Sequence, residues 1–287
     1  MLKKLTRREF IKRYLFYSII FSSFFIYEDE VLAYAPSKIV IENVDLEIDN
    51  LPAGFKNFKI AQLSDLHLSN IVKPWLIQKT VAMTNELKPD LIVITGDLAN
   101  DLKYLKECCY LLCKLKAPYG IYAVTGNWEV AYGLKDSKAI IRGSYMKLLD
   151  NKTEYIKKNG DTICLSGVDD DKARGFTLEK TYQGVDNKFV KILLCHNPYI
   201  LAKIKKAKKR IDIVLSGHTH GGQVVYPVVG ALKLPTAHGL EFRSGFYEYN
   251  NSRVYINRGI GVVKVGFRVN CPPEITLFNL KRSKNKT

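Results

Sequence analysis

From residue 38 onward, short apolar runs alternate with polar stretches that contain glycine. Residues 38–49 alternate apolar and polar positions, the period of a strand with one covered face, and are expected at a sheet edge. Lys59–Leu63, Asp90–Thr95 and Gly120–Thr125 are compact apolar runs that predict buried strands. Between them, Trp75–Leu87 and Leu102–Leu115 carry apolar residues at helical spacing. Pro74 heads the first of these, a position where its missing N–H does no harm. A further helix is expected to close over Arg142–Leu149. Strands then dominate, at 161–167, 189–195, 211–216, 245–249, 252–256 and 275–280. Strand–helix units followed by a strand-rich half predict a layered α/β fold, without internal repeats, in one domain over residues 36–287.

The first 35 residues read differently. Thr6-Arg7-Arg8-Glu9-Phe10-Ile11-Lys12 looks like a twin-arginine export signal, and the apolar stretch Tyr14–Tyr27 suits a signal core. It is shorter than the ~20 residues of a comfortable membrane span. Basic residues precede it and Glu28-Asp29-Glu30 follow, an asymmetry that keeps the N-terminus in the cytoplasm. Ala33-Tyr34-Ala35 has the small-x-small form of a cleavage site, but Pro36 is poorly accepted next to it. The segment is therefore a signal or a retained anchor, with the body at the membrane or exported. The alternative is an amphipathic surface helix holding a catalytic domain on the cytoplasmic face.

Forty-four Lys and Arg against 28 Asp and Glu give a formal charge of +16. Such an excess favours anionic partners: a phosphorylated small molecule or lipid, or an anionic membrane or wall surface. Nucleic acid is not expected. The densest basic run, Lys203–Arg210, fits a solvated helix face with Ile204 and Ala207 inward. The six cysteines show no C-x-x-C pattern and read as buried thiols.

The polar clusters that could carry chemistry each follow an apolar strand. They are Asp65-Leu66-His67, Gly96-Asp97, Gly126-Asn127-Trp128-Glu129, His196-Asn197 and Gly217-His218-Thr219-His220. Strand ends of an α/β sheet are where ligand sites collect. Carboxylates, imidazoles and an amide oxygen are the donors that a borderline divalent metal prefers. Four of the five histidines fall in these clusters, which argues against scatter. Gly96, Gly126 and Gly217 are expected to let the backbone turn sharply beside the site.

In these motifs, from about residue 55 to the end, the chain resembles the calcineurin-like metallophosphoesterases: SDLH, TGD, GN, a single His and GHTHGGQ. The resemblance implies a four-layer β-sandwich flanked by helices on both outer faces. It implies two divalent ions (Mn, Zn or Fe), one on Asp65, His67 and His220, the other on Asn127, His196 and His218, with Asp97 bridging. Two cations ~3.5–4 Å apart clamp a phosphate and activate a bridging hydroxide as nucleophile; no G-x-S-x-G or P-loop offers an alternative.

Where the family usually has Gly-Asn-His, this chain has Trp128, and indole cannot protonate a leaving group. The implied reaction is hydrolysis of a phosphodiester or pyrophosphate bond. Asn257-Arg258-Gly259-Ile260-Gly261 and Cys271-Pro272-Pro273-Glu274-Ile275 resemble a bacterial subgroup with leaders or anchors, which includes wall-associated phosphoesterases and UDP-2,3-diacylglucosamine pyrophosphatases of lipid A synthesis. That pyrophosphatase and a non-catalytic binding scaffold are the alternatives. Trp128 and Arg258 are candidate substrate contacts; the alternatives are that Trp128 packs the loop carrying Asn127 and that Arg258 holds a loop carbonyl. Asp169 and Asp170 either reach the site or form a turn, and His238 reads as a loop residue. The aromatics of Phe242–Tyr249 read as sheet packing.

Overall fold

The central strands are apolar at consecutive positions because both of their faces are covered. In Leu91–Ile94, Leu91 and Val93 face one apolar cluster while Ile92 and Ile94 face another. Ile213–Ser216 repeats the pattern, with Ile213 and Leu215 in the first cluster and Val214 in a third.

The computed structural model describes residues 33–34, 38–170, 173, 177–207, 210–226, 230–231, 242–249 and 252–283. The leader before Ala33 and His238 lie outside the described residues. In chain order the main strands are β1 Val40–Ile48, β2 Lys59–Leu63, β3 Leu91–Ile94, β4 Ile121–Ala123, β5 Lys147–Leu148 and β6 Lys152–Lys158. They continue as β7 Asp161–Gly167, β8 Lys191–Leu194, β9 Ile213–Ser216, β10 Gly245–Tyr249, β11 Ser252–Ile256 and β12 Glu274–Arg282. The helices are α1 Pro74–Glu86, α2 Leu102–Leu112, α3 Asn127–Ala131, α4 Leu134–Arg142, α5 Leu178–Thr181 and α6 Ile200–Ala207.

These strands form two six-stranded sheets, ordered β1-β12-β2-β3-β4-β5 and β10-β11-β9-β8-β7-β6. Leu46, Phe58, Val93, Leu165, Leu215 and Phe278 are among the residues that fill the space between the sheets. Leu76 and Ile77 of α1, Leu105 of α2 and Ile141 of α4 cover the outer face of the first sheet. Leu201 and Ile204 of α6 cover that of the second. The result is the expected helix–sheet–sheet–helix sandwich. A two-residue strand, Ala33–Tyr34, pairs antiparallel with Arg268–Val269. Among the described residues no helix is long and apolar enough to cross a membrane.

One expectation is corrected and one strand was not foreseen. The stretch 142–149 is not helical: α4 ends at Arg142 and Lys147–Leu148 pairs with β4. Its buried Met146, Leu148 and Leu149 pack as an edge strand and its approach. Strand β6 was not expected, because Ile156 is its one buried residue. It forms a hairpin with β7 through Asn159-Gly160, both at positive φ, the pair that tight hairpin turns favour.

Strands β2, β3 and β4 run parallel, as do β7, β8, β9 and β11. The loops after them therefore gather at one end of each sheet. Gln62 on β2 links the sheets beneath these loops, donating through Nε2 to Ser216 O on β9 and Thr95 Oγ1.

Candidate metal centre

The loops at this end are held in unusual backbone conformations. Asp65, His67, Asp97, His218 and His220 all have φ between 49° and 73°. For residues with a Cβ this region costs about 1–2 kcal/mol each, and it persists where neighbouring structure dictates it. Here Asp65 N donates to Gly96 O (3.0 Å) and His67 N to Asp97 O (3.1 Å), which locks one loop on the next. Of the three glycines expected to turn the chain, only Gly96 has positive φ. Gly126 and Gly217 serve instead to make room: an added Cβ would lie 2.2 Å from Asp97 Oδ1 and 1.9 Å from Ser64 Oγ, respectively.

The turns bring the predicted ligands into two adjoining sets, both buried. In the first, His67 Nε2 and His220 Nε2 are 3.1 Å apart, and Asp65 Oδ1 is 3.3 Å from His220 Nε2 and 3.8 Å from His67 Nε2. In the second, His196 Nε2 lies 3.1 Å from His218 Nδ1, 3.2 Å from Asn127 Oδ1 and 3.1 Å from Asp97 Oδ2. Asp97 Oδ2 is also 3.6 Å from His67 Nε2, so one carboxylate oxygen reaches both sets. Donors ~2.0–2.1 Å from a shared ion stand ~3.3 Å apart in a tetrahedron. The spacing fits a cation in each set.

The outer hydrogen bonds fit as well. His67 Nδ1 is 2.7 Å from Asn100 Oδ1 and His196 Nδ1 is 2.7 Å from Thr95 O, oxygens that accept the ring N–H. Each ring thus turns the lone pair of Nε2 toward the centre. Ser64 Oγ donates to Asp65 Oδ2 (2.6 Å). Glu129, fully buried, accepts from the backbone N–H of Gly126, Asp97 and Leu98 at 2.7–3.0 Å and so fixes the loops of Asp97 and Asn127. Arg268, also fully buried, donates to the carbonyl oxygens of His220, Arg258, Gly259 and Gly261. From the sequence Glu129 was named within its cluster but given no role of its own, and Arg268 was not singled out.

Charge in the centre is balanced within it. Burial would raise the carboxyl of Asp65, but His220 and His196 outweigh it and hold the group far below the ordinary range. Asp97 is likewise held low against burial, chiefly by His196. Burial pushes His220 down to about 3, while Asp97 and Asp65 overcome burial to hold the imidazole of His196 high. A cation would replace the protons on such imidazoles, so binding is coupled to proton release. Burial and Asp97 together push Glu129 up to about 7.

The remaining candidates separate. The indole of Trp128 sits edge-on to His67 (5.5 Å between centroids) and against Tyr132 (5.3 Å), while its backbone N–H donates to Asp97 Oδ1. Arg258 is committed to carboxylates: Nη2 pairs with Glu42 and Nε lies 2.9 Å from Glu274 Oε2. That arrangement favours the loop-holding alternative over a phosphate contact. Asp169 binds Thr125, Lys138 and Asn151, a structural set, whereas Asp170 is buried near enough to His196 to influence it. Phe242 packs on Tyr199 and Tyr247, as expected of sheet aromatics. Cys113 is exposed, unlike the other five cysteines.

Residues 58–222 match the family model described as calcineurin-like phosphoesterase. Among similar proteins, the uncharacterized metallophosphoesterase YkuE of Bacillus subtilis is 33% identical over 236 residues, covering 80% of this chain and 82% of its own. An uncharacterized metallophosphoesterase of Aquifex aeolicus is 31% identical, covering 85% of this chain and 93% of its own. A transmembrane protein with metallophosphoesterase domain from Danio rerio is 30% identical over 88% of this chain, which spans 59% of that protein's length.

Proposed function

The chain belongs to the calcineurin-like phosphoesterase family, and from this premise we propose that it hydrolyses phosphodiester or pyrophosphate bonds at a dinuclear centre. The observation that carries the reading is the pair of buried donor sets joined by Asp97. Asp65, His67 and His220 would hold one divalent ion; Asn127, His196 and His218 the other; Asp97 would touch both. Such a pair supplies Lewis acidity and activates water at neutral pH.

The chain's own residues orient the reaction. Asn100 and Thr95 fix the tautomers of His67 and His196, and Glu129 and Arg268 hold the loops in their strained turns. Trp128 places its indole beside His67, and the indole N–H is too weakly acidic to protonate a departing alkoxide. Leaving groups that depart unaided, phosphates and aryl oxides, suit this site. That preference is also what supports a pyrophosphatase acting on UDP-2,3-diacylglucosamine as the second reading, with the domain on the cytoplasmic side. A non-catalytic scaffold fits poorly with five strained donor residues kept in register.

We place the protein at the membrane or beyond it, carried by the twin-arginine-type segment. The pairing of Ala33–Tyr34 with Arg268–Val269 supports a retained anchor, since cleavage after Ala35 would remove a strand from the domain.

Rates on matched aryl and alkyl phosphodiesters test the proposal. The native chain should prefer the aryl ester by more than the substrates' intrinsic difference, and Trp128→His should raise alkyl turnover by roughly 10²-fold, the range of a general acid. Equal efficiency on both esters in the native chain would contradict it.

A further inference from the structure

Eight large apolar residues are exposed among the described residues. Ile71 (42% exposed), Trp75 (49%) and Phe267 (48%) all lie at the end of the molecule that carries the metal centre. Topology puts them there. Ile71 and Trp75 follow β2 in the loop that begins with His67 and in the first turn of α1. Phe267 lies between β11, which is parallel to β9, and β12, which is antiparallel to β2. The two loops touch, for an added Cβ on Gly266 would be 3.6 Å from Ile71 Cγ2. Leu76 and Ile77 already supply the buried face of α1, so Trp75 is not needed by the core. Exposed Lys73 and Lys264 stand in the same two loops.

An apolar rim flanked by lysines has the chemistry of a surface that enters the headgroup layer of an anionic membrane. The chain itself indicates where the membrane lies. In sequence the apolar stretch Tyr14–Tyr27 precedes Ala33–Tyr34, which pair with Arg268–Val269. Tyr34 is opposite Arg268, the residue after Phe267. The strand six residues after the candidate anchor is therefore tied to the loop that bears the exposed phenylalanine.

We propose that Ile71, Trp75 and Phe267, with Lys73 and Lys264, form a membrane-contacting rim that turns the mouth of the centre toward an anionic bilayer, where it takes phosphate esters of lipids. The choice of substrate rests on the phosphoesterase reading; the contact itself does not.

The chain has two tryptophans, which makes the contact measurable. Full-length Trp128→Phe protein, with Trp75 as its one tryptophan, is bound to phosphatidylglycerol vesicles brominated at defined acyl depths. Emission should fall by roughly half, more with bromine near the headgroups than near the midplane, as for a side chain seated at the interface. Native protein should be quenched too, and Trp75→Phe, which keeps Trp128, should lose most of that quenching; this pair serves should Trp128→Phe not fold. Protein that floats with the vesicles but shows no quenching of Trp75 overturns the proposal, as does failure to float. Sequestration of Trp75 by a second copy or a protein partner would appear as protection from quenching and also overturns it. In parallel, Trp75→Ser/Phe267→Ser should leave hydrolysis of a soluble aryl phosphodiester unchanged and lower cleavage of a vesicle-borne lipid phosphodiester about tenfold. If neither substrate is cleaved while Trp75 is quenched, the phosphoesterase reading fails and the membrane contact stands.

Discussion

The two halves of the metal centre draw support from different parts of the chain. The Asp97–His196–His218 half is braced from within the stretch matched by the family model, by Glu129 across the Gly126 and Asp97 loops and by Thr95 O on His196. The Asp65–His67–His220 half shares such local bracing, through Asn100 and the Gly96 and Asp97 carbonyls, but leans in addition on residues beyond 222. Ile260 N and Gly261 N donate to the carbonyls of Ser64 and Asp65, and an added Cβ on Gly259 would be 2.6 Å from Asp65 Cβ. Arg268 then ties that loop to His220. One half is thus built locally and the other also needs the C-terminal loop in place, so remote substitutions should separate the two ions of the proposed centre.

Asp97 is the point at which the comparison should collapse. Outer-shell changes at metal sites typically cost 10–100-fold, so Asp97→Asn, which removes a shared carboxylate, should lower turnover by more than ~10²-fold and weaken both ions. Metal analysis that shows one site unaffected would break the shared assignment. Arg268→Met should sharpen the contrast: affinity for one ion falls roughly 10–100-fold while the other stays bound, and Arg268→Lys restores part of it. Competitive chelator titrations would read two separate transitions. Equal weakening of both ions would mean that the clamp acts on the fold at large.

Glu129→Gln should do the converse. It turns an amide N–H₂ toward backbone donors, at a cost of about 1–3 kcal/mol in stability, and loosens the Asn127 side first. Denaturant melts and the same chelator titration check both parts. The smallest effect is expected far from the ions, where Lys138 Nζ lies 2.7 Å from both Asp150 and Asp169. Burial would raise Asp150, but Lys138 more than offsets it and the folded carboxyl is held below the ordinary carboxylate range. A carboxyl lowered by folding stabilises above its unfolded pKa and loses that contribution as pH falls through the folded one. Lys138→Met should therefore cost ~1 kcal/mol at neutral pH, a difference that shrinks below about pH 4, with both ions retained.

The strands that carry the site were legible because runs covered on both faces are apolar at consecutive positions, as in Leu91–Ile94 and at Ile192, Leu193 and Leu194. The six side chains gathered into two buried sets, Asp65, His67, Asp97, His196, His218 and His220, stood out as polar clusters at strand ends, while their division between two ions came from the family resemblance. Strand β6 was not, since an edge strand with one buried residue has almost no hydrophobic pattern, although Asn159-Gly160 marked its turn. Glu129 had a faint signal, standing three residues after Gly126 at capping-box spacing. Arg268 had none: in a chain with 44 Lys and Arg, nothing local distinguishes a buried guanidinium from a solvated one. Its role exists only once His220 and the 258–261 loop are brought together.

The dinuclear assignment is tested by adding Mn²⁺ or Zn²⁺ stepwise to metal-depleted full-length protein while bound ions and turnover of an aryl phosphodiester are measured together. Two ions should bind per chain, one to each donor set, with hydrolysis rising as the second set fills. Full turnover with a single ion bound, or turnover that persists in excess chelator, would contradict the account.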